Sequence, residues 1–264
     1  METIVFATLS RLDTFISVLE NLKTVQSQTL TLLFQADGLN FLVKSPGKDI
    51  QGEAHLDKLH FTMYQVTHTS IQLSVDFKQL LNVVKSVLDS AQLVTVTYPV
   101  ADSKLMVVVQ DDRSSVQYLV ETLVIEEEQV AICDPEMVQG WIKFGDFRPL
   151  KQALDLITHG KQDSNAYVTL VNDRRGVLVF TKNNDSTNVK ARVSVPLSDK
   201  TEVNIKRECE KIYSTRALRH LVNVLKCQYV AVKMYQDGAL EVEIRLTGDC
   251  WTKRVLWPVP DIAY

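Results

Sequence analysis

Cysteine, glycine and long apolar runs are all scarce in this chain, and each scarcity removes a class of protein. The four cysteines, Cys133, Cys209, Cys227 and Cys250, stand far apart with no CxxC pair, which argues against a zinc site and a disulfide framework. A reducing compartment, cytosol or nucleus, suits them best. No apolar run approaches the roughly 20 residues of a membrane span. The opening METIVFATLSRLD lacks a basic stretch, a long apolar core and a small-residue cleavage site, so no secretory signal is expected. Positive charge is not in excess either. With a net charge of −3, the molecule as a whole is not a basic nucleic-acid binder, and any attraction to phosphate must come from a local surface where cations are segregated.

Catalytic constellations are also missing. Asp173-Arg174-Arg175-Gly176 joins strand to strand and lacks a Lys-Ser/Thr pair, so it reads as a hairpin turn and not a phosphate-binding loop. The histidines His55, His60, His68, His159 and His220 offer no catalytic pairing. Dense carboxylates occur only at Asp111-Asp112 and Glu126-Glu127-Glu128. Adjacent side chains on a turn or linker diverge, whereas a two-metal nuclease needs carboxylates converging from different elements. The expectation is a protein without metal, without cofactor and without enzymatic activity.

What is present is a repeat. Residues 75–88, VDFKQLLNVVKSVL, return as residues 214–226, STRALRHLVNVLK: at one constant offset Lys78, Leu80, Val84 and Val87 become Arg216, Leu218, Val222 and Leu225, and Gly38 becomes Gly176. At about 100° per residue, Leu80, Val83, Val84 and Val87 share one side of a helix while Lys78, Asn82 and Lys85 lie opposite. In the second copy Arg216, Arg219, Asn223 and Lys226 gather within an arc of about 80°, uninterrupted by any acid. Such a face serves either as a solvated surface or as a nucleic-acid surface. With 264 residues, 45% hydrophobic and 23% charged, the chain has enough for two ordinary cores.

The element order repeats as well. A strand over residues 3–9 precedes a helix capped by Ser10 with Leu12, Phe15, Ile16, Leu19 and Leu22 at helical spacing. Strands at 28–35 and 39–44 are joined across Ala36-Asp37-Gly38, a hairpin signal. Strands at 50–56, 59–66 and 70–75, the helix at 76–88, and strands at 93–98, 104–110 and 115–124 complete the first half. Residues 125–137 break both periodicities and carry a charge run and a proline, which marks a linker. A strand at 138–144 and a helix capped by Asp146, with Phe147, Leu150, Leu154 and Ile157 as its buried stripe, restart the plan. Strands follow at 167–171, 177–181, 188–196 and 208–213, with a loop and short strand at 198–206. The second basic helix and strands at 229–235, 240–246 and 251–259 close it. The reading is an α+β fold of two similar domains, residues 1–124 and 138–264 about the linker 125–137, each with two helices packed on antiparallel β-sheet.

The words FATLSRLDTFISVLENLK, FTMYQVTHTSIQLSVDFKQLLNVVKSVL and DGALEVEIRLTGDCWTKRVLWPVPD, in this order and duplicated, resemble the sliding DNA clamps of the proliferating-cell-nuclear-antigen superfamily. Within it they are most similar to the Rad-one-type subunit of the heterotrimeric checkpoint clamp. The resemblance spans nearly the whole chain. It implies the DNA clamp fold and a non-enzymatic ring subunit acting in the damage checkpoint and repair, in the nucleus. Its partners would be two other clamp subunits, an ATP-dependent loader, accessory proteins, and duplex DNA without sequence preference. A homotrimeric replicative clamp, a 3′–5′ exonuclease of the same branch, and a protein-only adaptor of the same fold are the alternatives. The family's inner wall would hold Lys78, Lys85, Arg148, Lys151, Arg216, Arg219 and Lys226 toward phosphate. The outer sides of the first helices, with Asp13, Ser17, Glu20 and Asn21 in one and Arg148, Gln152 and Asp155 in the other, leave only Arg11, Arg148 and Lys151 as phosphate neighbours. That is a lining suited to a ring shared with other chains. Edge strands would join subunits through Ser115, Gln117 and Leu119 on one side and Asn188, Lys190 and Arg192 on the other. A partner-peptide pocket would use Val43, Val130, Ile132, Pro258 and Pro260, although three glutamates replace the replicative clamp's linker wording.

Overall fold

The computed structural model describes residues 4–9, 12–23, 28–47, 49–85, 93–100, 103–110, 113–123, 133–159, 164–171, 178–184, 189–219, 221, 227–246 and 248–259. Two compact units emerge. The first comprises Met1–Pro46, Gly52–Gln129 and Thr247–Thr252, and the second Gly47–Gln51, Val130–Leu246 and Lys253–Tyr264.

In the first half of the chain, β1 (Val5–Leu9), α1 (Leu12–Leu22), β2 (Thr29–Gln35), β3 (Gly38–Lys44), β4 (Ile50–Asp57), β5 (Phe61–Val66), β6 (Ser70–Asp76), α2 (Phe77–Lys85), β7 (Leu93–Tyr98), β8 (Leu105–Gln110), β9 (Ser115–Val120) and β10 (Thr122–Leu123) follow in order. Strict alternation of burial along β1 and β2 is what one buried sheet face demands. The strands order as β5-β1-β7-β8-β9 and as β10-β6-β2-β3-β4, antiparallel in the registers resolved. Gln35 faces Gly38 across the expected hairpin. Gly38 has φ +152, and a Cβ there would stand 2.3 Å from the Leu56 carbonyl oxygen, so only glycine fits. The helices lean on each other, α1 against α2, and Phe15 of α1 meets Phe41 of β3 with ring centroids 5.8 Å apart.

The second half restates the plan with β11 (Val138–Phe144), α3 (Arg148–Thr158), β12 (Asn165–Leu170), β13 (Leu178–Asn184), β14 (Val189–Val195), β15 (Thr201–Ile205), β16 (Cys209–Ser214), α4 (Thr215–Arg219), β17 (Tyr229–Tyr235), β18 (Leu240–Arg245) and β19 (Trp251–Leu256). Its orders, β15-β11-β17-β18-β19 and β16-β12-β13-β14, reproduce those of the first half, except that β10 has no counterpart among the described residues. The α+β expectation holds. Of the expected stripe, Leu150, Leu154 and Ile157 are buried with Ala153 beside them, whereas Phe147 is the N-cap residue and only half-buried; α3 packs on β13 and β14 while α4 packs on α3 and β16.

Local differences from the sequence reading have local causes. The strand expected over 115–124 ends at Val120, and after Glu121 the chain crosses to pair β10 with β6. Glu121 forms an ion pair with Lys104 at 2.8 Å, and the Thr122 hydroxyl donates to the Ser103 carbonyl at 2.9 Å. Together they hold the crossing. Residues 58–60 form a single tight helical turn and not a strand, because the Asp57 carboxylate accepts the Leu59 N–H at 2.7 Å and so favours a turn over continued extension. Of the helix expected at 214–226, α4 is described to Arg219; residues 220 and 222–226 lie outside the described set.

Candidate nucleic-acid interface

Each second helix grows directly out of a strand. The Asp76 carboxylate accepts the Gln79 N–H at 2.6 Å, an N-cap that ends β6 and starts α2. Phe77, Leu80, Leu81 and Val84 are buried, so Lys78, Gln79 and Asn82 point outward and are exposed. Lys78 meets no acid among the described residues. Lys85 does: its ammonium lies 2.7 Å from Glu20 of α1, with both side chains about equally exposed. A pair this open adds little stability, yet it cancels the charge that Lys85 would show to phosphate. Asn21, expected on the outer side of α1, is only 2% exposed.

The N-cap of α3 is Phe147 and not the expected Asp146; Asp146, one residue earlier, binds Arg148 instead. The Asp146 carboxylate accepts the Arg148 N–H at 3.1 Å and takes the guanidinium through Nε at 2.9 and 3.0 Å and Nη2 at 2.6 Å. These hydrogen bonds from Arg148 hold the Asp146 carboxyl at about 2, below its ordinary 3.8. Lys151 is half-buried and its ammonium takes no described acid.

In α4, Thr215, Ala217 and Leu218 are buried, leaving Arg216 and Arg219 at intermediate exposure. Arg216 has no described partner. Arg219 reaches back to α3, its Nη2 donating to the Thr158 carbonyl, the last residue of that helix. A cation at a helix C-terminus also meets the negative end of the helix dipole. Because the carbonyl is neutral, Arg219 keeps its full charge. Lys226 and Arg11 lie outside the described residues.

The other expected sites divide similarly. Ser115, Gln117 and Leu119 are exposed on β9, which among the described residues pairs only with β8 and so forms a sheet margin. Arg192 is exposed on β14, the margin beside β13; Asn188 and the Lys190 side chain fall outside the description. Val43 is 1% exposed, in the core. Pro258 packs beside the Gly238 turn, where a Cβ at φ +87 would stand 3.0 Å from its ring. Val130, Ile132 and Pro260 lie outside the described residues, as do Asp111, Asp112 and Glu126 to Glu128. Among the described residues no three His, Cys, Asp or Glu side chains cluster as a metal would require.

Sequence reasoning passed over one charged group, Lys206, Lys233, Glu241 and Lys253. Its signal was visible in the alternation Lys233-Met234-Tyr235 and Glu241-Val242-Glu243, which sets charge on one face of neighbouring strands.

Residues 4–244 match the family described as repair protein Rad1/Rec1/Rad17. The chain belongs to this family. Membership makes it a checkpoint-clamp subunit in DNA repair. No curated protein matches the sequence. Among solved structures, the Proliferating Cellular Nuclear Antigen from Entamoeba histolytica is similar at TM-score 0.77 and 14% identity, covering 98% of this chain and 100% of that one. At that identity the likeness speaks for the fold, and the repeated strand order within this Rad1-family chain agrees with it.

Proposed function

We propose that the chain is a non-enzymatic scaffold subunit of a heterotrimeric ring that encircles duplex DNA in the nucleus. The carrying observation is that the second helix of each unit presents outward, at the repeated position, a cation with no acid partner among the described residues, Lys78 in α2 and Arg216 in α4. With Lys151 and Arg219, these supply contacts to phosphate oxygens, which hold a duplex without reading its sequence. Lys85 and Arg148 contribute less, since Glu20 and Asp146 cancel them; Lys226, outside the described residues, belongs to the same arc by sequence spacing alone. The domains run over 1–124 and 138–264 about a linker at 125–137. The margins β9 and β14 pair with two different clamp subunits, as unpaired edges favour. An ATP-driven loader places the ring, and accessory proteins use the linker region near Pro258.

Copy number tests the assembly. Native mass spectrometry of the purified complex should find one copy beside two other chains; three copies would make it a homotrimeric processivity clamp. Divalent-metal-dependent degradation of DNA, abolished by replacing Asp111 and Asp112, would establish the nuclease instead.

A further inference from the structure

The second unit carries a cavity of about 390 Å³ whose wall is built from β11, β15, β17, β18 and β19. Alternation along these strands brings Trp141, Lys233, Tyr235, Glu241 and Lys253 to its lining, and Lys206 joins them just beyond β15. Glu241 is the organising group. Only 1% exposed, its carboxylate lies 2.8 Å from the Lys233 ammonium and 3.5 Å from that of Lys253, and it accepts the Tyr235 hydroxyl at 2.9 Å. Burial alone would depress the Lys233 ammonium, but Glu241 and Glu243 outweigh it and hold it above its ordinary value. Lys206 is exposed and takes no described acid.

The lining therefore holds three lysines around one carboxylate, and Glu243 also lies 3.2 Å from Lys233. Lys206 thus supplies the uncancelled charge, while Lys233 and Lys253 offer ammonium donors fixed in place before any ligand arrives. Such preorganisation lowers the ordering cost of binding an anion. The volume lies within the range of small-ligand pockets and suits one or two side chains, whereas a duplex needs an extended track of cations. Tyr235 also belongs to an adjoining apolar group with Ala239 and Val255, against which Val138 and Trp257 pack, so an apolar surface continues from the charged cavity.

We propose that this cavity is an anion pocket that receives an acidic peptide segment of a partner protein, seating a carboxylate side chain among Lys206, Lys233 and Lys253. The site is separate from the helix faces assigned to DNA and does not depend on ring assembly.

Fluorescence anisotropy of the full chain with a short fluorescent poly-glutamate peptide, and with its poly-glutamine counterpart, tests this. The glutamate peptide should bind and the glutamine peptide should not. Lys206→Gln and Lys253→Gln should each weaken binding by about tenfold, the scale of one lost charge contact. Lys143→Gln should leave it unchanged, because Lys143 is paired with Glu202 at 2.8 Å outside the lining. Lys206 is an exposed residue just past a strand end, so its variant tests the site without disturbing the fold. Absence of binding, equal binding of both peptides, or an equal loss in Lys143→Gln would overturn the proposal. Displacement of the peptide by duplex DNA through the same lysines would reassign the cavity to nucleic acid.

Discussion

The two helix pairs share one plan and spend their charges differently. In the first unit the described outward charges balance: Lys23, Lys78 and Lys85 face Asp13, Glu20 and Asp76. In the second, Arg148, Lys151, Arg216 and Arg219 face only Asp146 and Asp155. The manner of pairing matters as much as the count. Lys85 is neutralised by a carboxylate on the neighbouring helix, whereas Arg219 is held by a backbone carbonyl on the neighbouring helix, which positions its charge without cancelling it. The lesson is that a cation on a helix face can be removed from the field or fixed within it, and only the identity of its acceptor tells which. The second unit also carries the buried charges. Glu241 and Arg254 are each 1% exposed, and the Arg254 guanidinium nitrogens have no hydrogen-bond partner among the described residues. Burial draws that group down to about 10, so it remains a cation at neutral pH.

The largest effect should break the symmetry of the cores. Leu80→Ala in α2 and Leu218→Ala in α4 remove equivalent buried side chains, 1% and 0% exposed, and each should cost about 3 kcal/mol in urea unfolding. A much smaller loss for Leu218 would mean that α4 contributes less packing than α2. Arg254→Leu sharpens the contrast in the opposite direction. Replacing an unpaired buried charge with an apolar side chain should stabilise the chain by about 2 kcal/mol, and a destabilised variant would show that Arg254 has a partner.

On DNA, Arg216→Glu should weaken duplex retention by about tenfold and flatten its salt dependence, with Lys78→Glu giving a smaller loss. The reverse order would place the first unit nearer the phosphates. Arg219→Ala should cost about 1 kcal/mol of stability by releasing the end of α3; an unchanged melting temperature would count against that tether. Smallest is the pH effect at Asp146. Its carboxyl sits at about 2 rather than 3.8 because Arg148 donates to the charged form. A group depressed on folding stabilises above its unfolded value and loses that contribution as pH falls through the folded one. The Asp146–Arg148 bonds should therefore persist near pH 4 and fade toward pH 2. Carboxyl NMR titration of Arg148→Gln should return the midpoint toward the ordinary value.

Much of the fold was legible because periodicity reports burial directly. The stripe Leu150, Leu154 and Ile157 and the Asp37-Gly38 hairpin were plain in the chain, since each depends on neighbours a few residues away. Less of the candidate interface was legible. Lys78 and Arg216 could be placed outward by helical arithmetic, but Glu20 meeting Lys85 and Thr158 meeting Arg219 depend on contacts between helices far apart in sequence. The same limit hid the cavity: Lys206, Lys233, Glu241 and Lys253 come from separate strands, and nothing local says that they converge.

By itself the sequence determined the duplication, the class and order of elements, and the outward side of each basic helix, because these follow from spacing at fixed helical and strand periods. Tertiary structure alone decided which cations retain an uncancelled field. A charge's effect depends on the acceptor within about 4 Å of it, and for Lys85 and Arg219 those acceptors lie on other helices.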